Sequence, residues 1–146
     1  SLHDALTGLE NRRAFDRSFS EEIARARRYR HPLALLLADA DALKTINDTA
    51  GHAAGDALLR SLARAIRATC RETDRSFRIG GDEFAILLPE TGEETARIFL
   101  TRFREEIAAE RFSASVGLAI YSEEAESGPA FFERADRSLY RAKGGR

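Results

Sequence analysis

The chain has 146 residues, the size of one domain, and folding at that length buries roughly 68–70% of the unfolded surface, enough for one sizeable core without staples. Lys and Arg number 23 against 24 Asp and Glu, a net charge of −1, which excludes the basic excess of a general nucleic-acid or membrane-surface binder. The single cysteine, Cys70, excludes an internal disulfide framework and a multi-Cys zinc site.

All basic residues except Lys44 and Lys143 are arginines, a bias that suits phosphate chemistry but also fits genomic drift. The longest apolar run, Leu33 to Ala38, is far too short to span a bilayer. A reducing, cytoplasmic setting fits these features, and 43% hydrophobic with 32% charged residues argues against disorder.

Asn11 reads as the N-cap of a helix running to about Arg30, with Phe15, Phe19, Ile23 and Ala26 on one face. Pro32 ends it. Leu33 to Ala38 is a continuous apolar run of strand length, the mark of a strand covered on both faces. Asp39 and Asp41 close that strand, and a short helix from Ala42 to Asp48 leads into a glycine-containing loop. A second long helix is expected over about Ala53 to Cys70, with Leu58, Leu59, Leu62, Ala63 and Ile66 at helical spacing and Cys70 as a small buried hydrophobe. Ser76 to Ile79 and Phe84 to Leu88 read as strands of a hairpin joined by Gly80-Gly81-Asp82-Glu83. After Pro89 and Thr91-Gly92 come a helix from Glu93 to Ala109, a strand from Phe112 to Tyr121 and a last helix from Pro129 to Lys143. There is no internal repeat, linker or low-complexity tract, so residues 1–146 read as a single domain.

Without the outer helices the order is β-α-β-β-α-β, an α+β fold of the ferredoxin-like kind around a mostly antiparallel sheet. In that topology the first strand lies antiparallel beside the third. Asp39, Asp41, Asp82 and Glu83 therefore meet at one sheet edge. Carboxylates so placed repel and raise one another's pKa unless a cation intervenes. Oxygen ligands without Cys or His suit Mg²⁺. Either acidic segment alone reads as turn residues; the two together in this topology favour a metal site. An EF-hand is excluded, because Leu43 and Lys44 stand where its loop needs an oxygen ligand and a glycine. No Walker loop and no GxGxxG is present. Asn47, Asp48, His52 and Asp56 surround Gly51 and Gly55. An amide with a carboxylate can read guanine; helix capping by Asp48 or Asp56 fits the same residues equally well. His52 on its own reads as a solvated loop residue.

Several motifs occur in order along the chain: Asp4-Ala5-Leu6-Thr7-Gly8-Leu9-Glu10-Asn11-Arg12-Arg13, Asn47-Asp48 with Gly51-His52 and Gly55-Asp56, Gly80-Gly81-Asp82-Glu83-Phe84, Ser115-Val116-Gly117, and Ala135-Asp136 with Leu139-Tyr140-Arg141-Ala142-Lys143. Together they resemble the GGDEF domain of diguanylate cyclases, bacterial signalling enzymes related to nucleotide cyclases and polymerase palms. The resemblance implies condensation of two GTP into cyclic di-GMP and two pyrophosphates by two facing domains in a transient homodimer. It implies Mg²⁺ or Mn²⁺, two ions per active site, held by Asp39, Asp82 and the Ala40 carbonyl, with Asp82 also the proton acceptor. The implied catalytic set is Asp82, Glu83 and Lys44. Asn47 and Asp56 would read guanine, with His52 in the same pocket. Gly80 and Gly81 would let phosphates approach the backbone, and Lys44 and Lys143 would meet phosphate charge.

Arg71-Glu72-Thr73-Asp74 is similar to the family's RxxD inhibitory product site, completed by Arg102 or Arg104, with Arg102 favoured. There are departures. Leu43 replaces the phenylalanine often found before the lysine, and Lys143-Gly144-Gly145-Arg146 is one residue short, so Arg146 receives no phosphate role. By resemblance the chain is a catalytic fragment of a longer sensor protein whose upstream sensor or dimerisation element lies elsewhere, and it needs neither nucleic acid nor membrane contact. Three activities compete: an active cyclase, a silent module that binds GTP or cyclic di-GMP, and a mononucleotide cyclase.

Overall fold

The structure is a computed structural model that describes residues 1–121 and 126–145; Arg146 lies outside the described residues. Helix α1 spans Arg12–Tyr29. The Asn11 side chain accepts from the Ala14 amide at its start, and Arg30 in the left-handed region (φ 57°) ends it with its N–H on Ala26 O. Strand β1 is Leu33–Ala40, buried along its whole length. Helices α2 (Leu43–Ala50) and α3 (His52–Thr69) follow, then β2 (Arg75–Arg78), β3 (Glu83–Pro89), α4 (Glu93–Ala109), β4 (Ala114–Ile120) and α5 (Gly128–Ala142). At the start of α5 the Ser127 hydroxyl accepts from the Ala130 amide.

The strands form one sheet in the order β2-β3-β1-β4. Every pairing is antiparallel, and Asp39 lies opposite Glu83 on one side and Ser115 on the other. This is the ferredoxin-like arrangement expected from the element order. Residues alternate between the two faces of a strand. Ala34, Leu36, Ala38 and Ala40 enter a core with Leu62, Ile66 and Phe103 of α3 and α4. Leu33, Leu35 and Leu37 enter a second core with Phe15 of α1 and Phe131 and Leu139 of α5. Two covered faces explain the unbroken apolar run. They also place Asp39, next in the odd-numbered series, under α5.

The loop expected between α2 and α3 is a single turning residue, Gly51 (φ 87°), so His52 opens α3 and Gly55 lies inside it. Leu43, not Ala42, opens α2, because Ala42 takes the left-handed conformation (φ 59°) that turns the chain off β1. Strand β1 extends to Ala40, so Asp39 is part of the strand and does not follow it. Cys70 caps α3 and is half-buried; burial chiefly, with Asp74 adding and Arg71 opposing, pushes its thiol up to about 12, which makes it inert. Residues 2–10 fold back on themselves and cover the free edge of β2 through a parallel bridge from Glu10 to Phe77.

Candidate active site

The sheet edge defined by the Asp39–Glu83 register opens into a cavity of about 570 Å³ lined by Asp39, Ala40, Lys44, Asp82, Ser115 and Lys143 among others. Asp39 is 5% exposed. Its Oδ2 accepts from the Lys143 ammonium, while its buried Oδ1 has no hydrogen-bond partner. Burial raises the Asp39 carboxyl to about 6, with Asp82 pushing the same way and Lys143 opposing. Lys143 is partly desolvated, which alone would lower its pKa, yet Asp39, Asp82 and Asp41 together hold it above its ordinary value.

Of the acids expected at this edge, Asp39 and Asp82 converge. Asp41 lines the same cavity but is already engaged: Ser113 and Ser115 donate their hydroxyls to its two oxygens at 2.7 and 2.8 Å. Glu83 is exposed, and its carbonyl accepts from the Ile79 and Gly80 amides to close the β2–β3 turn. Among the described residues no group of three His, Cys, Asp or Glu side chains could hold a metal unaided. Two carboxylates and the Ala40 carbonyl leave most positions to water and phosphate oxygens, the donor set that Mg²⁺ prefers. An unpaired buried carboxylate oxygen is costly, and a divalent cation is the partner its chemistry fits.

The Gly80-Gly81 pair joins the hairpin, but not as a left-handed turn, since neither glycine has a positive φ. A Cβ at Gly81 would meet nothing within 4 Å, and one at Gly80 would only touch the Glu83 side chain at 3.4 Å. The fold itself therefore does not demand glycine there.

Leu43 and Lys44 carry α2 into the cavity wall, and Asn47 lies one turn further along that face. A Cβ on Gly55 would fall 1.8 Å from Asn47 Oδ1. Glycine at this position of α3 is what allows the Asn47 amide to lie against it, beside half-buried Asp56. The capping alternative does not hold: Gly51 caps α3 without a side-chain bond, and Asp56 is inside the helix. His52 is exposed at the first position of α3.

At the other end of β3, roughly 17 Å away by strand rise, Arg71 reaches Asp74 through its amide, Nε and Nη2 and also donates to Thr91 Oγ1 at 3.1 Å. A small cavity of about 90 Å³ is lined by Arg71, Leu88, Thr91, Phe99 and Arg102 among others. Arg104 is not part of its wall.

Two residues have roles that the motif reading did not assign, one of them inside a quoted motif. Gly117 in β4 faces α5 so closely that a Cβ would lie 2.2 Å from Leu139 N and 2.6 Å from Ala135 O. A glycine inside a strand is itself a signal of such backbone approach, and here it sets the height of the helix that delivers Lys143. The second is Arg78, which donates to the Gly81 carbonyl at 2.7 Å and to Asp4 at 3.2 Å.

A family model described as diguanylate cyclase, GGDEF domain, matches residues 1–146. Diguanylate cyclase DgcP of Pseudomonas aeruginosa is 43% identical over 152 residues, covering 98% of this chain and 22% of DgcP. Diguanylate cyclase DgcM of Escherichia coli K12 is 41% identical over 151 residues, covering 97% of this chain and 36% of DgcM. The chain thus spans a minor part of these curated relatives. The crystal structure of the GGDEF domain of DgcB from Caulobacter crescentus in complex with c-di-GMP matches with a TM-score of 0.93 at 31% identity, over 99% of this chain and 91% of that one. With the family model covering every residue, and with the ferredoxin-like sheet placing Asp39 against the Gly80–Glu83 turn, the chain belongs to the diguanylate cyclase GGDEF domain family.

Proposed function

We propose that this domain is a Mg²⁺-dependent diguanylate cyclase that joins two GTP into cyclic di-GMP and releases two pyrophosphates. The observation that carries the reading is the unpartnered, buried Oδ1 of Asp39, beside Asp82 and Lys143 in one cavity. Asp39, Asp82 and the Ala40 carbonyl would hold the metal, with phosphate oxygens completing the coordination of two ions; Mn²⁺ fits the same donors. Bound there, the metal supplies neutralisation of phosphate charge. Lys44 and Lys143 add fixed positive charge at the same cavity. Asn47 donates to guanine O6 or N7, and Asp56 accepts from N1–H and the amino group. Asp82 takes the proton of an attacking 3′-hydroxyl, with Glu83 the second acid on that turn. The new O–P bond forms at the α-phosphorus as the bond to pyrophosphate breaks. Catalysis of this kind is positioning plus charge stabilisation.

One domain holding one GTP cannot close a two-fold dinucleotide, so two copies must face each other in an isologous contact. The cavity lined by Arg71 and Arg102, with Asp74 holding the Arg71 side chain from outside its wall, is the proposed inhibitory site for the product. The substrate is a cytoplasmic nucleotide, and no helix among the described residues is long and apolar enough to cross a membrane. Incubation with GTP and Mg²⁺ and identification of the product tests the reading. Cyclic di-GMP supports it, a cyclic mononucleotide refutes it, and ligand binding without turnover would reassign the domain as a receptor.

A further inference from the structure

Asp82 sits on a turn built around two glycines, the residues with most backbone freedom to lose. The backbone bonds at this turn are few: Ile79 and Gly80 donate to Glu83 O at 2.9 and 3.3 Å, and Ala40 donates to Asp82 O at 3.3 Å. Arg78 supplies a stronger hold. Its Nε and Nη2 both donate to the Gly81 carbonyl, at 3.2 and 2.7 Å. The other arm of the same guanidinium, Nη1, donates to Asp4 Oδ1 and Oδ2 at 3.2 and 3.3 Å. The pair is mostly sheltered, with side chains 18% and 21% exposed.

Asp4 is itself fixed. The Thr7 amide and hydroxyl donate to its Oδ2 at 2.9 and 2.7 Å. Partial burial alone would raise its pKa, but these donors and Arg78 hold it below the ordinary value. Around it, Arg67 donates to Thr7 O, the Arg78 amide donates to Glu10 O, and Arg75 grips the Glu10 carboxylate at 2.6 and 2.7 Å. Residues 4–10 are thus bolted to α3 and β2, and the bolt ends on the backbone atom next to Asp82.

We propose that Arg78 is a positioning residue of the active site, whose fork joins Asp4 of the N-terminal segment to the Gly81 carbonyl and so fixes the turn that carries Asp82. The geometry requires arginine. A lysine ammonium that pairs with Asp4 lacks the planar fork and cannot reproduce the paired Nε and Nη2 bonds to the Gly81 carbonyl. A change in the N-terminal segment that draws Asp4 away would release the turn without touching the cavity. The inference rests on the metal-site reading of Asp82, and its test separates the two.

Arg78→Lys keeps the charge and the Asp4 pair, so its melting temperature should stay within a few degrees of the native protein, whereas Arg78→Ala removes both contacts. In metal-free protein, hydrogen exchange at the Ile79, Gly80 and Ala40 amides should accelerate in Arg78→Lys, with amides of the β1 core unchanged. Mn²⁺ titrated against the protein and followed by electron paramagnetic resonance should bind roughly 10-fold more weakly, the usual size of an outer-contact loss. Asp4→Asn should accelerate exchange at the same amides to a smaller degree. Native exchange together with Mn²⁺ affinity within twofold of native in Arg78→Lys would overturn the proposal. If the native protein binds no Mn²⁺, the metal reading fails, and the exchange rates alone then decide whether Arg78 holds the turn.

Discussion

Replacing Gly55 by alanine should separate the stability of this domain from its affinity for GTP. The added Cβ would lie 1.8 Å from Asn47 Oδ1, 2.8 Å from Asn47 Cγ and 3.2 Å from Leu43 Cδ1. No real contact survives at the first two distances, so the Asn47 side chain must move. It can do so cheaply, because no residue of α2 is fully buried and the amide can turn toward solvent. Gly55 also lies inside α3, where alanine is favoured by about 1 kcal/mol. The melting temperature should therefore hold or rise. Affinity for GTP should fall, since a lost amide contact to a buried base edge costs about 1–3 kcal/mol, or roughly 5- to 150-fold in Kd. Calorimetric titration with GTP and with ATP in parallel reads both affinity and base discrimination. Because the alanine acts through Asn47, Gly55→Ala and Asn47→Ala should be strongly non-additive in the double variant. A Gly55→Ala protein with native GTP affinity and native preference over ATP would refute Asn47 as a guanine contact.

Asp39 makes metal-free stability depend on pH. Its pKa is raised in the fold from 3.8 to about 6, so the neutral form is favoured there, and its contribution is complete below pH 4, declines between about 4 and 6 and is flat above. Asp39→Asn should accordingly melt higher than the native protein at pH 8 without metal and should lose the gain in melting temperature that Mg²⁺ gives; equal melting curves at pH 8 would count against a penalised Asp39. Arg71→Ala and Arg102→Ala should each shift product inhibition to higher cyclic di-GMP, and Arg104→Ala should not, as read from initial rates with added product. Specific activity should rise with protein concentration, and more steeply with a leucine zipper fused before Ser1, which supplies effective concentrations on the order of millimolar. A flat profile across a hundredfold dilution of a monomer by light scattering would refute paired domains.

The element order was legible because the segments carry unambiguous periods: a two-faced apolar strand at Leu33 to Ala38, and helical spacing from Leu58 to Ile66. From order followed topology, and from topology the meeting of Asp39 with Asp82. Boundaries were less legible where single residues carry unusual backbone. Ala42 turns the chain off β1 in the left-handed region (φ 59°), which nothing in alanine signals, and Gly51 alone replaces an expected loop. The fate of Asp41 could not be read, because it depends on two serines at the start of β4, some seventy residues away in sequence. The glycines were legible as glycines but not for their reasons. Gly55 and Gly117 make room for Asn47 and for α5, whereas Gly80 and Gly81, the conspicuous pair, are not required by the local fold.

The two acids at the heart of the site are fixed by different physics. Asp39 continues the face of β1 that holds Leu33, Leu35 and Leu37, so the parity that makes this a core strand also forces a carboxylate under α5. One of its oxygens is offset by Lys143, and that offset depends on how low α5 rides over Gly117. Bulk at position 117 would lift the helix and strand the acid, although Gly117 is not among the residues lining the cavity. Asp82 lies on a turn outside the strands, and its place is set by backbone hydrogen bonds at Ala40 and Glu83 and by the Arg78 guanidinium on the Gly81 carbonyl. The energetic linkage to pH, and to the proposed metal, therefore falls on Asp39, where moving the group means disturbing the core. The positional tolerance falls on Asp82, where a single guanidinium fork decides the geometry and the fold is indifferent.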